Sequence, residues 1–102
     1  MSTRKIVIGG LRLSAPDRTV QRGRRKIRLT PREFVLLWTL ASSPGKLFRR
    51  RELMDAFHIA GAPPSPRVID AHIARIRKKL RALGGDPSLI ATVWCVGYKL
   101  RD

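Results

Sequence analysis

The sequence predicts an α+β domain: a four-stranded antiparallel sheet, three helices and a terminal β-hairpin. Three observations carry this expectation. Residues 1–29 are short β-branched runs broken by turn residues. Residues 30–83 switch to helical periodicity at a clear cap signal, and residues 88–102 return to strand-like runs around a tight tip. At 102 residues the chain is close to the commonest size of one domain, and its 43% hydrophobic content is enough for a core.

The N-terminal strands are "KIVIGG", "LRLS", "RTVQR" and "RKIRL", separated at Gly9-Gly10, Ala15-Pro16-Asp17 and Gly23. Strands this closely spaced predict a meander. In the last of them Lys26 and Arg28 alternate with Ile27 and Leu29, the pattern of a strand with one wet face.

Thr30-Pro31-Arg32-Glu33 then forms a capping box with Pro at the first helical position. Phe34, Leu37, Trp38 and Ala41 follow on one helical face, widened by Leu36 and Leu40, so this helix should be deeply buried until Ser43-Pro44-Gly45 ends it. "LFRRRELMDAF" predicts a shorter helix with Leu53, Met54 and Phe57 inward. Arg49, Arg50 and Arg51 fall in its first turn, where cations oppose the helix dipole unless an anion such as phosphate is near. A Pro- and Gly-rich loop, "HIAGAPPSP", follows.

The longest helix is expected over residues 66–83, stopping at Gly84-Gly85. Ile69, Ile73, Ile76, Leu80 and Leu83 make a narrow apolar stripe on one side. The opposite side carries Arg67, Ala71, Ala74, Arg75, Lys78 and Arg81. Small residues in the middle of that face allow close approach of the backbone, and the flanking cations name an anionic partner. The bland reading is a solvated basic face. The sharper one is a helix lying in the DNA major groove, which is wide enough to admit it.

Charge favours the sharper reading. Lys and Arg number 22 against 7 Asp and Glu, a net charge of +15, with the cations spread through folded-looking segments. Such an excess calls for a polyanion, and nucleic acid leads over an anionic membrane or an acidic protein. No apolar run approaches the roughly 20 residues of a membrane span, and no signal-peptide core is seen at the N-terminus. One cysteine, Cys95, forms no internal disulfide and fits a reducing cytoplasm, so a cytoplasmic, nucleoid-associated protein is expected. His58 and His72 read as polar or packing residues, with no metal and no cofactor. No carboxylate pair, nucleophile–base arrangement or phosphate-binding loop suggests an enzyme.

The final hairpin runs from Ile90 to Leu100 around Trp94, Cys95, Val96 and Gly97. A turn tip normally takes Gly, Asn or Asp. Trp94 has three roles open to it: packing flat on sugar and backbone with its N–H to a phosphate, wedging at a base step, or folding back onto the domain. We favour the first, in which the hairpin anchors position and Cys95 is a small apolar filler.

"LTPREFVLLWTLASSPGKLFRRREL", "RVIDAHIARIRKKL" and "TVWCVGYKL" together resemble the DNA-binding domain of OmpR/PhoB-type response regulators, over nearly the whole chain. The resemblance implies a winged helix-turn-helix with residues 1–29 as N-terminal sheet, 30–83 as the three-helix core and 88–102 as the wing hairpin. It implies that helix 66–83 enters the major groove and that wing 90–100 meets the adjacent minor groove or backbone. By position it makes Arg75 a base reader and places Arg67, His72, Arg77 and Lys78 at phosphates or base edges. Arg50 and Tyr98 become phosphate contacts, and Thr92 a wing hydroxyl on DNA. It further implies head-to-tail dimers on direct-repeat half-sites, and contact with RNA polymerase through loop 58–65.

This chain departs from the family pattern at three places. Arg49 replaces the usual Ser cap of the second helix, and Ala74 replaces a common basic residue. Trp94-Cys95 stands where the wing usually carries Arg-Gly, the minor-groove probe. The receiver domain of such regulators has no counterpart in these 102 residues, so the chain reads as an excised effector domain, with a small stand-alone member as the alternative. The rival functions are an RNA-binding or ribosome-associated protein and a winged-helix protein-interaction module. The absence of aromatic residues from the N-terminal strands argues against RNA stacking.

Overall fold

A computed structural model describes residues 4–56 and 67–101. Four strands, β1 (Arg4–Ile8), β2 (Leu11–Ala15), β3 (Thr19–Arg22) and β4 (Arg25–Arg28), form an antiparallel sheet in sequence order. Cross-strand neighbours Ile6, Leu13, Val20 and Ile27 share one face, which packs inward. The alternating cations of β4 point the other way, as the period-2 pattern requires.

Helix α1 (Pro31–Ser42) starts at the predicted capping box. Thr30 Oγ1 accepts from the Glu33 N–H at 3.2 Å, and Glu33 Oε1 accepts from the Thr30 N–H at 3.0 Å. Leu36, Leu37 and Leu40 are fully buried, while Trp38 is half-buried and tilted against Phe34, ring centroids 5.4 Å apart.

The sequence reading missed a strand. Phe48–Arg49 forms β5, so Arg49 does not belong to the first turn of the next helix, α2 (Arg50–Ala56). The N–H of Arg49 donates to Glu52 Oε1 at 3.0 Å, a carboxylate that serves this helix start in place of the missing Ser cap. Leu53 is fully buried and Met54 half-buried, whereas Phe57, the loop at 58–65 and the expected helix start at Pro66 lie outside the described residues.

Helix α3 (Arg67–Ala82) buries Ile69, Ile73, Ile76 and Leu80 against the core, and Leu83 just beyond it. A short 3-10 turn (Pro87–Leu89) leads into β6 (Ile90–Val93) and β7 (Gly97–Leu100). These pair with β5 in the order β5-β7-β6. Gly97 was expected in the hairpin tip but stands in β7 opposite Arg49. A Cβ there would sit 1.9 Å from the Phe48 carbonyl oxygen, so only glycine lets β5 approach. The tip closes with the Val96 N–H donating to the Val93 carbonyl at 3.0 Å, and Cys95 takes the positive φ of 61°. The result is a winged helix-turn-helix carrying an N-terminal sheet.

Candidate nucleic-acid interface

Once the apolar stripe of α3 is buried, helical geometry turns the opposite stripe outward. Arg67, Ala71, Ala74, Arg75, Lys78 and Arg81 are all exposed, a face about 20 Å long at 1.5 Å per residue. Its two alanines leave the helix backbone accessible between the cations. This is the arrangement that the sequence spacing predicted.

The other residues singled out from the sequence are placed differently. Arg50, from the start of α2, donates through Nε to Asp70 Oδ1 on α3 at 2.9 Å. Tyr98, from β7, donates its hydroxyl to the same oxygen at 2.6 Å. The anion that the basic start of α2 calls for is therefore supplied, within the chain, by Asp70. Sequence reasoning passed over Asp70. Its signal was present, as the one carboxylate in the first turn of α3. The hydrogen bond and charge of Asp70 hold the Arg50 guanidinium pKa up. Burial and then the bond to Asp70 raise that of the Tyr98 phenol, with Arg50 opposing, so both remain donors at neutral pH.

Arg77 sits on the flank of α3 nearest the wing. Its Nη2 donates to the Ile90 carbonyl and to Thr92 Oγ1, each at 2.7 Å, and its guanidinium lies 5.7 Å from the Tyr98 ring centroid. Arg77, Thr92 and Tyr98 thus bind α3 and the wing to each other. His72 is buried, with Nδ1 2.9 Å from the Val68 carbonyl.

A second brace lies behind the exposed face. Lys79 reaches Glu33, the capping-box carboxylate of α1, which is only 2% exposed. Burial pushes the Glu33 carboxyl up, but the Lys79 ammonium and the Thr30 N–H and hydroxyl more than offset it, leaving the pKa below its ordinary value.

Beyond α3 the wing tip projects Trp94, which is 87% exposed, beside exposed Cys95 and Val96. The fold-back of the indole onto the domain is excluded by that exposure. Among the described residues no group of His, Cys, Asp and Glu could hold a metal ion, and no helix is long and apolar enough to cross a membrane.

An exposed basic helix braced to a wing narrows the choice of relatives, and comparison decides it. A family model described as "Transcriptional regulatory protein, C terminal" matches residues 23–100. The chain belongs to this family. It is a DNA-binding effector domain of the OmpR/PhoB type, a transcription-regulator module and not an enzyme. The effector domain is 38% identical over 96 residues to the transcriptional regulatory protein CreB of Escherichia coli K12, covering 94% of this chain and 42% of CreB. It is 38% identical to the phosphate regulon regulatory protein PhoB of Rhizobium meliloti, covering 92% of this chain and 41% of PhoB. The chain thus spans about two-fifths of the length of these curated relatives. Among solved structures it resembles the DNA-binding domain of Klebsiella pneumoniae RstA in complex with the RstA box. That match has a TM-score of 0.79 at 30% identity and covers 96% of this chain and 97% of the RstA domain.

Proposed function

We propose that the chain acts as one DNA-binding unit that lays α3 in the major groove and its β6–β7 wing on the adjacent minor groove or backbone. One observation carries this reading: the exposed row Arg67, Ala71, Ala74, Arg75, Lys78 and Arg81, with no carboxylate among them. Arg75, next to Ala74 in the middle of the face, is the base reader, since a guanidinium pairs bidentately with guanine. Arg67 and Lys78 take phosphates. Arg50, Arg77, Thr92 and Tyr98 present their remaining polar groups to the backbone from the braced junction of α2, α3 and wing, with His72 supporting from beneath. Trp94 packs on sugar and backbone.

The regulator of which this domain would be part binds head-to-tail on direct-repeat half-sites about one helical turn apart. It carries a receiver domain before residue 1, works in the cytoplasm on the nucleoid, and touches RNA polymerase through residues 58–65. Selection of binding sites from random duplexes tests the proposal. A repeated half-site at roughly 10–11 bp spacing is expected. Recovery of no consensus, or tighter binding to duplex RNA in salt-matched competition, would overturn it.

A further inference from the structure

The α3 face and the wing use only part of the positive charge. We propose that the outer face of the β1–β4 sheet is a second, sequence-independent site that holds the phosphates of another DNA duplex.

The strand register defines this face. One cross-strand row runs Lys5, Ser14, Thr19, Arg28, and the next runs Val7, Arg12, Gln21, Lys26. Their parity is opposite to that of the inward row Ile6, Leu13, Val20, Ile27. Lys5, Arg12, Lys26 and Arg28 are all exposed, as is Val7, while the hydroxyl and amide residues between them are half-buried. At about 4.8 Å per strand, Lys5 and Arg28 stand roughly 14 Å apart and Arg12 and Lys26 roughly 10 Å, with about 7 Å between the rows. The sheet thus presents a broad array of four cations with hydrogen-bonding groups between them.

Neither row contains an acidic residue. The three ion pairs among the described residues involve Arg50, Lys79 and Arg101, and none of the four sheet cations. Asp17, in the turn before β3, engages the Thr19 hydroxyl at 3.4 Å. Four like charges on one face repel each other, and a polyanion relieves that repulsion. Protein partners are anchored by buried aromatic and large apolar side chains, and this face offers only Val7. Phosphate contacts need no such anchor, so duplex DNA fits better than an acidic protein. None of these residues lies on α3 or in the wing, so the inference stands apart from the reading of α3.

The test saturates an immobilised duplex with the full chain and measures capture of a second, labelled duplex of unrelated sequence. Lys5→Gln, Arg12→Gln, Lys26→Gln and Arg28→Gln combined should bind the first duplex within about threefold of wild type yet lose second-duplex capture by at least about tenfold at ~50 mM salt. The log–log salt slope of capture should become shallower by about 0.9 for each of up to four phosphates lost. Arg12→Lys with Arg28→Lys, which keeps the charges, should still capture. Arg75→Ala should weaken the first interaction and spare capture, which separates a failure of this site from a failure of the α3 reading. The proposal is overturned if wild type captures no second duplex, if the fourfold variant captures as well as wild type, if the charge-keeping variant loses capture, or if immobilised polyglutamate retains wild type better than duplex does.

Discussion

Arg77 on α3 donates to Thr92 Oγ1 on the wing at 2.7 Å, and the same nitrogen also reaches the Ile90 carbonyl. This guanidinium therefore joins the exposed helix α3 to the wing, alongside the Tyr98–Asp70 hydrogen bond and the core that both elements share. Arg77→Ala should destabilise the fold by about 1–2 kcal/mol in urea unfolding, because a carbonyl and a hydroxyl lose a charged donor. Binding to all duplexes should weaken together. Unchanged stability with lost binding would make Arg77 a direct phosphate ligand and not a brace.

Arg75 carries a different expectation, because it projects from the middle of the exposed face. Arg75→Ala should cost about 1–3 kcal/mol on the selected site and much less on random DNA. Equal losses, read by parallel fluorescence-anisotropy titrations, would assign it to phosphate. Ala74→Arg should raise affinity for every duplex and reduce the ratio between specific and random sequence.

For Arg50 the salt dependence is the informative quantity. Arg50→Ala should weaken all duplexes alike and make the slope of log affinity against log salt shallower by about 0.9, one phosphate contact. The variant also removes the cation beside Asp70, leaving Tyr98 as that carboxylate's remaining partner among the described interactions. A loss confined to one sequence would make Arg50 a base reader.

Trp94 is 87% exposed, so its indole has surface to bury on DNA. With Trp38→Phe removing the other indole, Trp94 emission should respond to added duplex. Trp94→Ala should weaken binding without altering flank preference. An indole lacks the charge that exploits a narrow A·T minor groove, so Trp94→Arg should add preference for A·T-rich flanks. Silent emission together with unchanged affinity of Trp94→Ala would remove Trp94 from the interface.

Glu33 links stability to pH. Its folded-state pKa lies below the ordinary value of 4.5, so the ionised carboxylate contributes stability above that value and loses it as pH falls through the lower folded value. Glu33→Gln should be less stable than wild type at pH 7 by about 1–3 kcal/mol, through the weakened link to Lys79. The gap should close in acid, where the wild-type side chain is neutral too. A gap of constant size from pH 7 to pH 3 in urea titrations would show that the charge contributes nothing.

Much of this protein was legible from local pattern. The capping box at Thr30 and Glu33, the alternation in β4 and the stripe from Ile69 to Leu83 are each short-range signals, set by backbone periodicity and by side chains three or four residues apart. They set the element order except for β5, and through α3 they identified the face that carries Arg75. The resemblance in "IDAHIARIRKKL" and its flanking segments supplied the family and the reading of the terminal hairpin as a wing.

What only the tertiary structure decided involves residues distant along the chain. Strand β5 is two residues long and has no periodicity of its own. It exists because Gly97 lets Phe48 come close, a condition set 49 positions away. Asp70 receives Arg50 and Tyr98 from separate elements, and Glu33, legible as a cap, is also the anchor of Lys79 on another helix. The exposure of Trp94 was open for the same reason: composition says that an indole prefers burial, but only the packed core shows whether a surface lies within its reach. Local chemistry determined the elements and their outward charges, and long-range packing decided which of those charges are held within the fold and which face solvent.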